Sequence, residues 1–312
     1  MNLTHERFRQ IESWILRNGR PLEAARYAMR FQGEGPGRFL ALLRLYQNAD
    51  GGFGHALEPD GWNPHSTPYG TLSALNLLRE AGVSDYAHPL YQGALAYLAS
   101  GDGFEDGCWL FSMPSSNDYP HAPWWGYDPA LNQAESLGLS AALAAFALSA
   151  CTAGEPLYQK ALAIAQRAYE RLMSGANPGV MGIDGFMALR PHWQALSIAP
   201  DLSAVDGVLH AMVNAAIVRD AALWEQYVPR PSAAIQSPDS PFYAENRADL
   251  EKELDYLIAT LPKDDDVWPI NWCWFQEGER YPKAFAISES WWKAWKAIEK
   301  LCLLRTFGRI EG

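Results

Sequence analysis

Apolar residues recur along this 312-residue chain with the three-and-four spacing of helices, and almost nowhere with the two-residue alternation of strands. That period predicts eleven helices, over about 6–17, 22–31, 38–47, 69–80, 90–98, 135–150, 157–173, 185–196, 204–227, 246–261 and 285–305. Ser203 ahead of Asp206, and Pro156 after Glu155, are helix-start signals. With 48% apolar residues the chain can bury a large core, and one all-α domain over 1–312 is expected. The N-terminal stretch is charged, and the longest apolar segment, 141–151, is too short to span a bilayer. A net charge of −11 selects against nucleic acid and anionic lipid. Four scattered cysteines (Cys108, Cys151, Cys273, Cys302) read as free thiols. The expectation is a cytoplasmic protein with no stable membrane insertion, acting on a small hydrophobic or carbohydrate molecule.

Long loops at 48–68, 100–131 and 262–284 interrupt the helices, and ordered loops of that length tend to be functional. Each carries an acidic and aromatic core: Asp50-Gly51-Gly52-Phe53, Asp102-Gly103-Phe104 and Asp265-Asp266-Val267-Trp268. Asp50 and Asp102 stand 52 residues apart; two more such steps reach Gly154 and Asp206-Gly207, and the last core falls slightly later. A helix pair recurring at this interval suits a closed ring or a solenoid.

The run 38–53, RFLALLRLYQNADGGF, resembles the QW-type repeat of the terpenoid cyclase and protein prenyltransferase superfamily: a helix ending in Gln47, a spacer, then Gly51-Gly52-Phe53. Phe53 stands where cyclases place Trp, as in the DGGF version of prenyltransferase β subunits. The run 266–272, DVWPINW, looks like a degenerate last repeat. The resemblance implies an α/α toroid, with inner helices around a central cavity, outer helices behind them and long loops at one end. It gives Gln47 a capping role and Phe53 a packing role between repeats. It also implies an isoprenoid-type substrate in the cavity and acid/base chemistry by loop carboxylates. A carbohydrate-active hydrolase or lyase with paired carboxylates and Trp platforms, and a non-catalytic binding protein, are the alternatives.

Cyclases of that superfamily protonate their substrate with the middle Asp of DxDD. Here the nearest run is Lys263-Asp264-Asp265-Asp266, with Lys in place of the first Asp; Asp266 is a candidate acid, against the reading of a solvated loop. Prenyltransferases hold zinc through a D-x-C step and a later His. Asp106-Gly107-Cys108 matches the step, but His121, His192 and His210 sit in no matching motif and no basic cluster awaits a diphosphate. No metal or other cofactor is therefore expected.

The loop from His55 to Trp62 holds an imidazole, two carboxylates and an indole within eight residues, braced by Pro59 and Pro64. Glu58 and Asp60 are the candidate general acid and base, His55 tunes them, and Trp62 contacts substrate. Plain turn formation by Asp60 and Asn63 competes with that assignment. A second loop supplies His121, Trp124, Trp125, Tyr127 and Asp128, with Glu135 following, as an aromatic wall suited to a sugar ring or a cation; two Trp filling a gap between helices is the competing view. A third loop supplies Trp268, Asn271 and Trp272. Trp291, Trp292 and Trp295 fall at helical spacing and read as packing. Walker A, GxGxxG, HExxH and GxSxG motifs are all absent.

Overall fold

Proline occupies the first turn of six helices, where its missing N–H leaves nothing unsatisfied and its fixed φ favours the helix. The structure is a computed structural model describing residues 1–179, 181–263, 265–275 and 280–311. Among these lie eleven α-helices: α1 (His5–Asn18), α2 (Pro21–Phe31), α3 (Gly37–Leu43), α4 (Pro68–Glu80), α5 (Pro89–Ser100), α6 (Pro129–Ala150), α7 (Pro156–Met173), α8 (Gly182–Ala195), α9 (Ser203–Ala216), α10 (Tyr243–Ala259) and α11 (Pro282–Thr306). One small antiparallel hairpin pairs β1 (Phe104–Glu105) with β2 (Cys108–Trp109). The protein is thus all-α, as its periodicity predicts. None of the described helices is long and apolar enough to cross a membrane.

The two largest differences from the expected helix boundaries have local reasons. Helix α6 starts at Pro129, six residues before Glu135, because Asp128 accepts the Ala130 and Leu131 N–H groups at 2.7 and 3.0 Å. Helix α9 ends at Ala216 instead of near 227. Beyond it Arg219 donates to the Asn214 carbonyl (2.8 Å), and Val218 N–H turns to Pro229 O (2.8 Å).

The chain forms two compact units, Leu43–Met212 and Met1–Leu42 with Val213–Gly312. In the first, α6 is buried at every position from 135 to 148 and packs against α4, α7 and α8. Glycine lets α6 and α8 touch closely: a Cβ on Gly138 would lie 2.7 Å from Gly182 N, and one on Gly185 2.9 Å from Ala141 Cβ. A second device on α6 uses Asn132, Ser136 and Ser140, spaced four apart and hence on one face. They bond the backbone of 109–112: Ser140 Oγ accepts Trp109 N–H (2.8 Å), Ser136 Oγ accepts Phe111 N–H (3.0 Å), and Asn132 both accepts from Ser112 N–H and donates to Ser112 O (3.1 Å each). An extended segment that leaves the β1–β2 hairpin thus has its remaining polar groups met by a helix.

In the second unit, α1, α2 and α11 pack around Ile11, Ile15, Leu22, Ala294, Ile298 and Leu301, each at most 1% exposed. The buried Arg20–Glu23 pair (2.6 Å) caps α2. The chain's ends meet through a parallel bridge between Leu3 and Ile310.

Candidate functional site

The loop after α3 is locked before it reaches any candidate residue. Gln47 Nε2 donates to Gly51 O (2.9 Å) and to Leu90 O in the first turn of α5 (3.2 Å), while Phe53 is fully buried and bridges both Gln47 and Thr67. The Gln47 side chain therefore ties this loop to the next helical pair, while its backbone N–H closes the turn before it on Arg44 O (3.1 Å). Gly51, at φ 91°, would drive a Cβ into the Gly93 backbone, so only glycine fits. Asp50 Oδ1 accepts Gly52 N–H (2.9 Å) and Ser66 O–H (2.6 Å).

From here the chain makes a strained turn, with His55 and Ala56 both at φ 56°. His55 is exposed and bonds Asn48 Oδ1 through Nε2 (2.8 Å). Glu58, half-buried, accepts Asp60 N–H at Oε2 (2.9 Å), and Asp60 is buried at 2% exposure. The loop then pairs with the second one: Trp62 N–H donates to Pro120 O (2.9 Å), Ala122 N–H to Asp60 O (2.8 Å), and Gly61 bridges His121. Sequence reasoning placed these two loops together, and in the structure they are hydrogen-bonded to one another. Of the second loop's rings, Trp124 and Tyr127 are half-buried, while Trp125 is 9% exposed and stacks on Phe111 (4.9 Å) and against Tyr69 (4.2 Å). Trp125 Nε1 is buried without a hydrogen-bond partner among the described residues.

Two hollows adjoin this junction. An inner cavity of about 40 Å³ is walled by Tyr69, Phe111 and Trp125, with Glu58, Asn63 and Ser116 among its polar groups. An outer groove of about 680 Å³ is lined by Asp50, Asp102, His65, Asn48, Ser66 and Ser115 among others. Met113 lines both, and among the described residues no Lys or Arg lines either. Asp50 and Asp102 both face Tyr97, whose hydroxyl is pushed up from its ordinary pKa by burial first and by these two carboxylates second. The acidic groups of the outer groove are therefore those of the first two repeat cores, which were not among the candidate catalytic residues. Their fixed spacing was the available signal.

Asp128 and Glu135 line neither hollow. Asp128 spends its carboxylate on the α6 N-terminus, and Glu135 is buried on α6 beside Gly179. Asp106-Gly107 also has a structural purpose: at φ 49° and 75° they are the two central residues of the β1–β2 turn, the left-handed pair that a two-residue hairpin demands. Burial raises the Cys108 thiol, with Arg167 opposing. His192 bonds Ser149 Oγ (3.3 Å). Among the described residues no group of three or more His, Cys, Asp or Glu is placed to hold a metal ion, and all four cysteines are free.

The third set of candidates belongs to the other unit. Asp266 is half-buried and pairs with Arg17 (3.1 Å), and Asp264 of the same run lies outside the described residues. Trp268, 3% exposed, donates to Leu257 O (2.7 Å), and Asn271 donates to Gln226 O (2.7 Å). Trp272 meets Tyr227 (5.6 Å) and Trp292 (5.3 Å) edge-on. On the last helix the three indoles that helical spacing marks as packing do meet neighbouring side chains. Trp291, Trp292 and Trp295 are all half-buried, and Lys296, Glu299 and Lys300 share α11 with them. Arg26 lies over Trp295 (4.7 Å) and Lys296 over Trp292 (5.5 Å).

Lys296 and Glu299 form a 2.9 Å pair whose side chains are each 39% exposed. Burial is nevertheless the strongest influence on both, opposing their charge, and their mutual attraction overcomes it, raising the lysine and lowering the glutamate. The interleaving of Trp with Lys and Glu at three-and-four spacing in 291–300 was the missed signal. The cations absent as a cluster in sequence gather here in space: Arg26 with Lys296, and Arg230 with Lys300. No protein-family model, characterised protein or solved structure matches the chain.

Proposed function

We propose that the Leu43–Met212 unit binds a neutral polyhydroxylated molecule of the carbohydrate class in the outer groove and acts on it by acid/base chemistry through Asp102, Asp50 and Glu58. The observation that carries this reading is the groove's lining: carboxylates, hydroxyls, an amide and an imidazole, with no Lys or Arg among the described residues, beside an inner cavity walled by three aromatic rings in mutual contact. Hydroxyl-rich ligands use such acceptors, and ring faces stack on indole. A pair of carboxyl groups is also what glycosidic cleavage requires. Asp102 is the better candidate for chemistry, since Asp50 already serves two hydrogen bonds in its turn. The test is a screen of oligosaccharides for binding and cleavage, repeated with Asp102→Asn. Binding that persists while cleavage stops supports the reading; no binding of any sugar by the wild-type chain ends it.

The scaffold we propose is the α/α toroid. Its support is the run of helical pairs and the Gln47–Phe53 joint, in which the amide reaches the first turn of α5 and the ring is buried between loop strands. A second reading, an isoprenoid-type ligand, is favoured by the half-buried indoles of α11 beside Trp272. Titration with a prenyl diphosphate, followed by tryptophan fluorescence, separates the two: a saturable change abolished by Trp292→Ala supports the second reading, and no change removes it.

A further inference from the structure

We propose that the inner cavity of the Leu43–Met212 unit is a subsite for the hydroxymethyl arm of a hexose, whose hydroxyl accepts from Trp125 Nε1 and donates to Glu58. This rests on the carbohydrate reading above and adds to it a choice between sugars. Trp125 is 9% exposed, yet its Nε1–H has no hydrogen-bond partner among the described residues. An indole N–H shut away from water normally finds an acceptor, and leaving it unpaired is costly. The pyrrole edge of this ring faces the cavity. A Cβ on Gly61 would stand 3.7 Å from Trp125 Cδ1, the ring atom bonded to Nε1, and 3.7 Å from Glu58 Oε2, and all three residues line the hollow. A donor and a carboxylate acceptor therefore flank one small space.

The side chains of Thr67, Ser112 and Asn63, on the same lining, are already engaged. Thr67 Oγ1 accepts Gly70 N–H (2.9 Å), Ser112 Oγ donates to Gly126 O (3.2 Å), and Asn63 donates to Ser115 Oγ (2.8 Å) while accepting His65 N–H (3.0 Å). What the cavity asks of a ligand is thus set by Trp125 and Glu58. A hydroxyl accepts from one and donates to the other at once. An ammonium offers the indole no acceptor, and a carboxylate would meet Glu58 as a like charge. The volume of about 40 Å³ takes a few water-sized groups and no sugar ring. The Tyr69, Phe111 and Trp125 rings give a methylene its apolar wall.

The two hollows stand one side chain apart. Met113 lines both, and Asn63 of the inner lining is bonded to Ser115 of the outer. Met113 is unbranched and adaptable, so a ring seated in the groove can send one short arm past it. A site built to hydrogen-bond a hydroxyl rejects the analogue that lacks it, because its own polar groups are then left unpaired. Hexoses should therefore be preferred to the pentoses that differ from them by the hydroxymethyl group alone.

The test titrates the isotope-labelled full chain by NMR with methyl glycosides in matched pairs: glucose with xylose, galactose with L-arabinose, and mannose with D-lyxose. In at least one pair the hexose should bind about tenfold or more tightly, and the Trp125 indole N–H resonance should move with the hexose only. Gly61→Ala should bring that ratio close to one. Gly61 has no left-handed φ and its new methyl meets its neighbours at ordinary contact distance, so the fold accepts it while the cavity shrinks. Trp125→Phe, which keeps a ring and removes the N–H, should do the same. Equal affinities within every pair, or a hexose preference that survives both variants, overturns the proposal and leaves the carbohydrate reading standing. Binding of none of these glycosides also overturns it, and the oligosaccharide screen then decides the carbohydrate reading separately.

Discussion

The junction of the 54–63 and 119–125 loops and the last helix, α11, both set tryptophan beside ionisable groups, yet they position them by different means. At the junction, main chain holds main chain: Trp62 to Pro120, Ala122 to Asp60, and the 109–112 segment to three side chains of α6. On α11 a single helix spaces Trp292, Trp295, Lys296, Glu299 and Lys300 by its own period. The electrostatics diverge as well. Among the described residues the loop hollows carry carboxylates and no Lys or Arg, whereas around Lys300 two cations outweigh carboxylates already engaged elsewhere. Loops can collect like residues from distant positions only if their backbones are satisfied on the way, which is why the junction needs so many hydrogen bonds. A helix brings its backbone already satisfied, so its side chains are free to be strained electrostatically.

If that contrast is right, the two regions should fail differently. The largest effect is expected from Trp125→Ala, which empties the ring stack with Phe111 and Tyr69; a loss of about 3 kcal/mol or more should appear in urea unfolding. Asn132→Ala comes next, at about 2–3 kcal/mol, because it strands both the N–H and the carbonyl of buried Ser112; a loss under about 0.5 kcal/mol would show that the ladder to α6 is not what holds the segment. Asp50→Ala should cost about 1–2 kcal/mol through its turn, while Asp102→Asn should stay within about 0.5 kcal/mol of wild type and still stop any sugar cleavage. Equal destabilisation by the two would place Asp102 in the scaffold.

A pH slope is expected from α11. Lys300 titrates near 7 when folded but at 10.5 as an ordinary lysine, so across that window the unfolded chain binds more protons and stability rises with pH. Thermal melts of Lys300→Met should lack this rise. The variant should be the more stable protein at pH 7, with the gap closing toward pH 10.5.

Much of the helix map was readable in advance because a helix is a local object: period, caps and prolines all lie within a few residues of what they determine. Where local signals competed, reading went astray. Asp106-Gly107 was weighed as a zinc step when its dihedrals make it a hairpin turn, although Asp-Gly is itself a turn signal. Asp128, expected in the aromatic wall, is a helix cap, as Pro129 beside it also indicates. The pairing of the His55–Trp62 loop with the Tyr119–Trp125 loop was only a guess from composition, since nothing in either segment specifies Ala122 N–H for Asp60 O.

The amino-acid order alone determined that this chain is helical, where most helices begin, and that its Asp-Gly-aromatic loops are ordered and distinctive. Tertiary structure decided which of those acids share a groove, that Glu135 is shut inside α6's surroundings, and that Lys300 faces Arg230 across some seventy residues of chain. The reason is range. Propensity and capping act over one or two turns, whereas burial and charge depend on whatever folding brings within a few ångströms, and that neighbour is written elsewhere in the sequence.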